Sequence, residues 1–387
     1  MDISDFYMSR CLELAAHGRG SVAPNPMVGA VLVADVGSLN AGSCRCSGAH
    51  SSEGVIIGEG FHRCFGEAHA EANAIASVKD EALLRQATLY VNLEPCSHYG
   101  KNPSCAELII RKAIPRVVAG CLDPNPKVAG RGIKMLREAG VDVTTGVRER
   151  ESTVLNRFFM TAHQRHRPYI ILKWAQSEDG FLDRKRKDAS EKPVVFSNAI
   201  TRRMAHQLRS EVQAIMVGTN TAVLDNPELT VRYWTGTSPV RIVVDRTLRV
   251  PQGYRLYDGR YPTIIFTENS HWEEKGERCF ANKENMRYHF LEGTGSGLSE
   301  IAAFLYENEI QSLLVEGGAQ LHRSFLEENL WDEIIVETAP VQLKDGVQSA
   351  LSYVGEHIQL AERQYIYPRI SGDEKPSVIA RFINYTF

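Results

Sequence analysis

The chain has 387 residues, 43% hydrophobic and 24% charged, with a formal net charge of −3. That length predicts two or three domains of an ordinary globular protein. The charge balance argues against broad electrostatic binding of nucleic acid, no run of about 18 apolar residues offers a membrane span, and the charged start MDISDFYMSRCLELAAHG lacks a signal-peptide apolar region, so a cytoplasmic location is expected.

Residues 2–17 read as an amphipathic helix. VAPNPMVGAVLVAD is a proline-rich loop entering a strand, with Asn25 between two prolines, where turn chemistry alone would account for it. Residues 35–54, rich in Gly, Ser and Cys, read as an inserted surface loop; Cys44, Cys46 and His50 leave a second metal site as the alternative. GVIIGEGFHRCFGEAHAE gives a strand, a glycine turn holding His62, and the start of a helix. A lone histidine such as His62 reads first as a surface or capped residue.

The densest chemistry follows. HAEANAIASVKDEALLRQATLYVNLEPCSHYGKNPSC opens with His69-Ala-Glu71 and closes with Pro95-Cys96 and Cys105. One His and two Cys can hold Zn²⁺ while a Glu two residues after the His moves protons without binding metal, which is the signature of zinc nucleobase deaminases. The usual ending is P-C-x-x-C; here eight residues separate Cys96 from Cys105, so the second thiolate returns from a longer loop. Three ligands leave a tetrahedral position open for water, whose pKa zinc lowers from about 16 to about 7. Glu71 would take the water's proton and return it to the ring nitrogen and the departing ammonia. Residues 69–79 read as a helix, 87–93 as a buried strand, and CAELIIRKA as a further helix. A purely structural zinc is the other reading; it needs a fourth ligand, for which His98 is nearest, and leaves Glu71 without a role. With eight cysteines in a chain of this length, metal binding and buried thiols are expected rather than a disulfide framework, and Cys11, Cys64, Cys121 and Cys279 read as core or incidental thiols.

PRVVAGCLDPNPKVAGRGIKMLREAGVDVTTG repeats strand–loop–helix–strand, which implies an α/β layered domain. Asp123 and Asn125 sit at a strand's end, where ligands of open α/β sheets gather, although Asp-Pro-Asn-Pro also suits a plain turn. From Thr145 to Arg167 the chain is strongly charged and reads as a helix and a linker. The expected division is 1–148, a linker over 149–167, and 168–387. In the second half YIILKWA is a buried strand, SEDG a turn projecting Ser177 and Asp179, RKRKDASEK a basic solvated loop, and 198–210 a helix carrying His206 and Arg209. Thr221, Asp225, Asn226 and Arg232 form a polar cluster after the next strand. SPVRIVVD and PTIIFTE are strands. SLLVE, Gly317-Gly318 and AQLHRSFLEE make a strand–turn–helix junction whose N–H groups could meet a phosphate. GxGxxG is absent, so the common dinucleotide fingerprint is not available.

APNPMVGAVLV, GEGFHRCFGEAHAEANAI, LYVNLEPCSHYGKNPSC, DPNPKVAGRGI, RPYIILKWAQSEDG, VGTNTAVLDNP and LLVEGGAQL together resemble the bifunctional riboflavin biosynthesis deaminase/reductase family, in order and over nearly the whole chain. The resemblance implies an α/β architecture of two domains, a cytidine-deaminase-like α/β/α domain followed by a dihydrofolate-reductase-like α/β domain. It implies zinc-dependent deamination of a phosphorylated pyrimidine, 2,5-diamino-6-ribosylamino-4(3H)-pyrimidinone 5′-phosphate, then NADPH reduction of the ribosyl group to ribityl. His69, Cys96 and Cys105 resemble the zinc ligands and Glu71 the proton shuttle. Asn25, His62, Lys101, Asp123 and Asn125 resemble the pyrimidine and ribose-phosphate contacts. Arg209, Leu229, Arg232 and Glu316 resemble the reductase substrate contacts, and Ala175, Val195, Thr221, Asp225 and Gly318 the NADPH surroundings. The family suggests a homo-oligomer, dimer or tetramer, with no nucleic-acid or membrane partner. The chain departs from the family pattern in its longer 35–54 segment, in KNPSC beside Cys105, in Val195 where an aromatic residue is usual, and in Lys192-Pro193 near a usual Ser. Two other functions stay open at this level: a nucleoside or tRNA deaminase with a C-terminal binding domain, and a non-catalytic zinc-stabilised nucleotide-binding protein.

Overall fold

The computed structural model describes residues 2–35, 54–97, 104–125, 129–272, 284–293, 295–353, 358–367 and 375–384. His50, Cys44, Cys46, His98, Lys101 and Cys279 lie outside the described residues. The chain forms two units, 1–166 and 167–387. No helix among the described residues is long and apolar enough to cross a membrane.

The first unit is built on a five-stranded sheet of β1 (Gly29–Ala34), β2 (Val55–Phe61), β3 (Ala87–Leu93), β4 (Arg116–Cys121) and β5 (Asp142–Thr145), in the order β2-β1-β3-β4-β5. β1 runs antiparallel to β2 and β3, while β3, β4 and β5 are parallel. Side chains alternate across a strand, and β1 has apolar residues on both faces. Val31 and Val33 point to one side, packing with Tyr90 and Val118 under Tyr7, Met8, Cys11 and Leu14 of α1 (Ile3–Ala16). Ala30 and Leu32 point to the other, joining Leu89 and Val91 beneath α2 (Ala70–Ser77), α3 (Cys105–Arg111) and α4 (Arg131–Glu138). Two faces, each covered by helices, give the α/β/α layering. Each fully buried leucine or isoleucine here stabilises the unit by roughly 1.5–3 kcal/mol.

The charged stretch expected as a helix and a linker holds two helices, α5 (Glu149–Leu155) and α6 (Arg157–Arg165). Phe159 and Met160 lie in the first unit's core, and Asn156 bonds the Met27 backbone in both directions. Charge on the outer faces of these helices concealed a short apolar seam.

The second unit has a nine-stranded sheet in the order β11-β10-β9-β8-β12-β6-β13-β16-β15. Its strands are β6 (Tyr169–Gln176), β8 (Ala214–Gly218), β9 (Val240–Val244), β10 (Thr263–Glu268), β11 (Met286–Leu291), β12 (Ser312–Glu316), β13 (Glu333–Thr338), β15 (Ile358–Ile366) and β16 (Ser377–Asn384). The short β7 (Phe181–Asp183) and β14 (Val347–Gln348) pair separately. From β11 to β13 the sheet is parallel; β16 and β15 close it antiparallel. Helices α7 (Ala199–Glu211), α8 (Thr219–Asp225), α9 (Leu298–Glu307) and α10 (Ala319–Glu327) connect strands. The buried Arg167–Asp332 pair, two bonds of 2.6 and 2.9 Å, and Ile170 N to Asp332 at 2.8 Å tie the starts of β6 and β13 together. Parallel strands end their C-termini on one edge, so the loops after β6, β8, β9 and β12 gather there.

Candidate functional site

In the first unit three elements deliver one cluster. His69 takes the extended position that precedes α2, Cys96 follows β3 by three residues, and Cys105 opens α3 behind the cap Ser104, whose Oγ accepts from Glu107 N at 3.2 Å. His69 Nδ1 stands 3.6 Å from Cys96 Sγ and 3.4 Å from Cys105 Sγ. The ligand atoms of the three residues all lie within 4.8 Å of one another. Cys105 N donates to Cys96 Sγ at 3.3 Å and Ala106 N to Cys96 O at 3.1 Å, so the start of α3 holds the first cysteine in place. Hydrogen bonding from Cys105, with help from His69, outweighs burial and brings the Cys96 thiol down to about 4; Cys105 is pushed up as its partner. Glu71, 3% exposed, is pushed up to about 7 by burial and then by the charge of Cys96.

This donor set fits Zn²⁺. Nitrogen and thiolate sulfur are its preferred ligands, and three of them with a carboxyl close by match an open, catalytic site. Among the described residues the cluster has these three members. His62 stacks edge-on to His69 at 5.4 Å, but its own nitrogens are taken: Nδ1 donates to Ala68 O at 3.1 Å and Nε2 accepts from Asn25 Nδ2 at 3.1 Å. Burial lowers its pKa, which keeps that neutral form. Asn25 and His62 are thus brought together beside His69, and His62 is a 2%-exposed positioned side chain rather than a surface residue.

Two asparagines that the sequence reading passed over hold the Asn25 turn. Asn92, fully buried on β3, accepts from Gly29 N at 2.8 Å and donates to Met27 O at 3.0 Å. Asn156 accepts from Met27 N at 2.7 Å and donates to Met27 O at 2.9 Å. A polar residue inside the apolar run TLYVNL was the signal for the first. Asp123 and Asn125 lie just past β4, where Asp123 Oδ1 accepts from Asn125 N at 2.8 Å; Lys101 falls outside the described residues.

In the second unit the residues singled out, Ala175, Val195, Arg209, Thr221, Asp225, Leu229, Arg232, Glu316 and Gly318, all line a single cavity of about 1330 Å³. Glu316 ends β12, and Arg209 of α7 meets it with two bonds, 3.0 and 2.6 Å, while its third nitrogen donates to Thr230 O at 3.1 Å. Burial alone would raise the Glu316 carboxyl; the Arg209 charge and bonds, with Lys173, bring it down to about 2. His206 Nδ1 accepts from Arg232 N at 2.9 Å, and burial with the neighbouring arginines lowers its pKa to about 4, so it is neutral. Asp225 is held by an ion pair to Arg186, whose side chain is only 7% exposed and also meets Asp183 at 2.7 Å. The basic loop is therefore not wholly solvated. Gly317 and Gly318 have φ of 104° and 77°, and a Cβ on Gly317 would stand 2.8 Å from Thr221 Cγ2. Glycine suits this turn, which runs close under α8 and opens α10 at the cavity wall. Val195, 68% exposed, lies on the rim.

Lys173, Arg202, Arg246 and Arg249 also line this cavity and were not singled out. Lys173 had a legible signal, as the one charge inside the strand YIILKWA; it lies in register beside Glu316. The room, the glycine turn at a helix start and the cationic loop after β9 fit a phosphorylated dinucleotide.

Comparison with known proteins agrees in both halves. Residues 1–121 match the cytidine and deoxycytidylate deaminase zinc-binding region, and residues 168–352 match the RibD C-terminal domain. The riboflavin biosynthesis protein RibD of Aquifex aeolicus is 39% identical over 348 residues, 89% of each chain. That of Escherichia coli is 33% identical over 375 residues, 91% of each. A solved diaminohydroxyphosphoribosylaminopyrimidine deaminase/5-amino-6-(5-phosphoribosylamino)uracil reductase from Thermotoga maritima superimposes with a TM-score of 0.81 at 31% identity, covering 99% of both chains. RibD of Acinetobacter baumannii gives 0.78 at 28% identity over 98% of both.

Proposed function

The chain belongs to the RibD family of bifunctional riboflavin biosynthesis deaminase/reductases, and from that premise we propose how its residues divide the two reactions. The observation that carries the reading is the meeting of His69, Cys96 and Cys105 beside a buried Glu71 in one unit, with a cation-lined cavity in the other. The alternatives of a nucleoside or tRNA deaminase and of a non-catalytic binding protein give way to it, because a reductase domain accompanies the deaminase domain.

In the first unit the substrate is the diamino-ribosylaminopyrimidinone 5′-phosphate. His69, Cys96 and Cys105 hold Zn²⁺, which when bound supplies a water that ionises near neutrality. Glu71 takes a proton from the attacking water and delivers it to the ring nitrogen, then takes the proton of the newly added hydroxyl and delivers it to the amino group, which leaves as ammonia; a carboxyl whose pKa lies near the working pH both accepts and releases. His62 fixes Asn25 through its Nδ2, so that Asn25 presents its carbonyl oxygen as an acceptor to the pyrimidine. Asp123, Asn125 and Lys101 meet the ribose phosphate.

In the second unit NADPH, when bound, would supply a hydride to C1′ of the sugar in its ring-opened imine form, the C=N bond becoming C–N as the nitrogen takes a proton from solvent. The Gly317-Gly318 turn takes the cofactor's pyrophosphate, and Ala175, Val195, Thr221 and Asp225 shape its bed. Arg249, on the loop after β9, suits the 2′-phosphate that distinguishes NADPH from NADH, since guanidinium binds phosphate as a fork, whereas Arg246 is engaged by Glu268 and by the Gly293 and Gly295 carbonyls. All of Arg209 is engaged by Glu316 and Thr230, so it positions the Glu316 carboxylate. Arg232, 43% exposed at its side chain, and Arg202 are the cations with room for the substrate phosphate. Leu229 closes the apolar side. A homo-oligomer, dimer or tetramer, acting in the cytoplasm on a small phosphorylated pyrimidine completes the reading.

The test is a mass-resolved assay of the zinc-loaded protein with the diaminopyrimidine phosphate. A gain of one mass unit without NADPH, then two more with it, is expected. No mass change in either condition overturns the assignment. Arg249→Ala should narrow the NADPH-over-NADH preference without altering deamination; an unchanged ratio of kcat/KM for the two cofactors removes Arg249 from the 2′-phosphate.

A further inference from the structure

Glu94 stands between Leu93, the last residue of β3, and Pro95-Cys96. It is 4% exposed, and its side-chain hydrogen bonds go to backbone N–H groups of Asp123 and of the start of α4. Oε2 accepts from Asp123 N at 3.2 Å and from Gly130 N at 2.9 Å. Oε1 accepts from Gly132 N at 2.9 Å and from Ile133 N at 3.3 Å. Its own N–H donates to Cys121 O at 2.9 Å, continuing the β3–β4 ladder past the last residue of both strands. A buried carboxylate is costly unless its lone pairs are satisfied, and four donors satisfy this one.

The loop that it grips runs from β4 to α4 and carries Asp123 and Asn125. Its far end is built for the same approach. Gly130 has φ of 73°, and a Cβ on Gly132 would lie 2.0 Å from Pro95 O. The two chain segments therefore touch at Glu94 and again at Pro95, directly before the metal ligand Cys96. The charge also faces the start of α4, where unpaired N–H groups favour an anion.

We infer that Glu94 is a positioning residue that registers Asp123 and Asn125 against the metal loop at Cys96, so that sugar-end contacts and the reacting carbon are set at a fixed spacing. The inference rests on the assignment of Asp123 and Asn125 to the ribose phosphate. Its signature is in KM. Loss of the clasp frees Asp123 and Asn125 to shift while Cys96, bonded to Cys105 and Ala106, keeps its place.

The experiment uses the full chain with Glu94→Gln, and with Glu94→Asp as the milder variant should the first impair folding. Deaminase KM and kcat, zinc per chain and reductase rate are measured together. Glu94→Gln, which turns an N–H donor toward N–H groups, should raise KM for the phosphorylated pyrimidine on the order of tenfold with kcat nearly unchanged, because the loss is of uniform binding. Glu94→Asp should shift KM in the same direction by less. Zinc content and reductase rate should match the parent chain. Unchanged KM in both variants overturns the inference, and so does loss of zinc together with kcat at constant KM, which would make Glu94 a brace of the metal loop alone. Asp123→Ala and Asn125→Ala are run alongside. If they too leave KM unchanged, the substrate-loop assignment falls and the inference with it; if they raise KM and the Glu94 variants do not, only the inference falls.

Discussion

A carboxyl group buried to 3% exposure, as Glu71 is, resists ionisation, and that resistance suits it to carry a proton. Glu71→Gln keeps the shape and removes the proton. Deamination should fall by roughly 10²–10⁴-fold, the usual contribution of a general acid–base. Zinc per chain and the reductase rate should stay as they were, which metal analysis and a separate NADPH assay would check. Glu316 is the opposite case. Its folded value, about 2, lies below the ordinary 4.5. Its ion pair therefore adds stability that is fully present above about pH 4.5 and is lost as pH falls toward 2; the shift corresponds to about 3 kcal/mol. Denaturant midpoints of the second unit should drop through that window in the parent chain. In Glu316→Gln the midpoint should start lower at neutral pH, since Arg209 loses its partner, and fall less on acidification. An equal acid loss in both proteins would remove Glu316 from the pH dependence.

At the scale of elements, periodicity did most of the work. The strand at 87–93 lies where a mostly apolar run placed it, and the helices expected over 2–17, 69–79 and 198–210 differ from the observed ones by one or two residues at each end. What periodicity could not carry was α5 and α6. Their buried residues are few and their surfaces are charged, so only the core they dock on marks them as part of the first unit. Close helix–strand packing is the other feature hidden at this scale. A Cβ on Gly29 of β1 would stand 2.1 Å from Cys11 O and 2.7 Å from Ala15 N, both backbone atoms of α1. Gly29→Ala should destabilise the first unit by about 1–3 kcal/mol or more, because α1 must lift from the sheet. A thermal melt followed by the zinc-dependent activity would show it as a lowered midpoint; an unchanged midpoint would mean α1 docks more loosely than these contacts require.

For the whole molecule the two sites belong to two separate compact units, 1–166 and 167–387. Their dependence on the metal should separate as well. A strong chelator should abolish deamination, leave NADPH oxidation with the deaminated intermediate intact, and be reversed by added Zn²⁺. Loss of both activities would mean that the metal also stabilises the second unit.

From the sequence alone came the grouping of His69, Cys96 and Cys105 with Glu71, the α/β character of both halves and the family, because these depend on residue types at short spacings and on local periodicity. Short-range chemistry is written along the chain. The tertiary structure alone decided that Asn92 and Asn156 hold the Asn25 turn, that Arg209 serves Glu316, that Arg186 leaves the solvent to hold Asp225, and that Glu94 joins two loops. Each of these is a side-chain hydrogen bond or ion pair between residues 29 to 129 positions apart. Such a partner is selected by where burial leaves a polar atom without water, and burial exists only once the sheet has assembled.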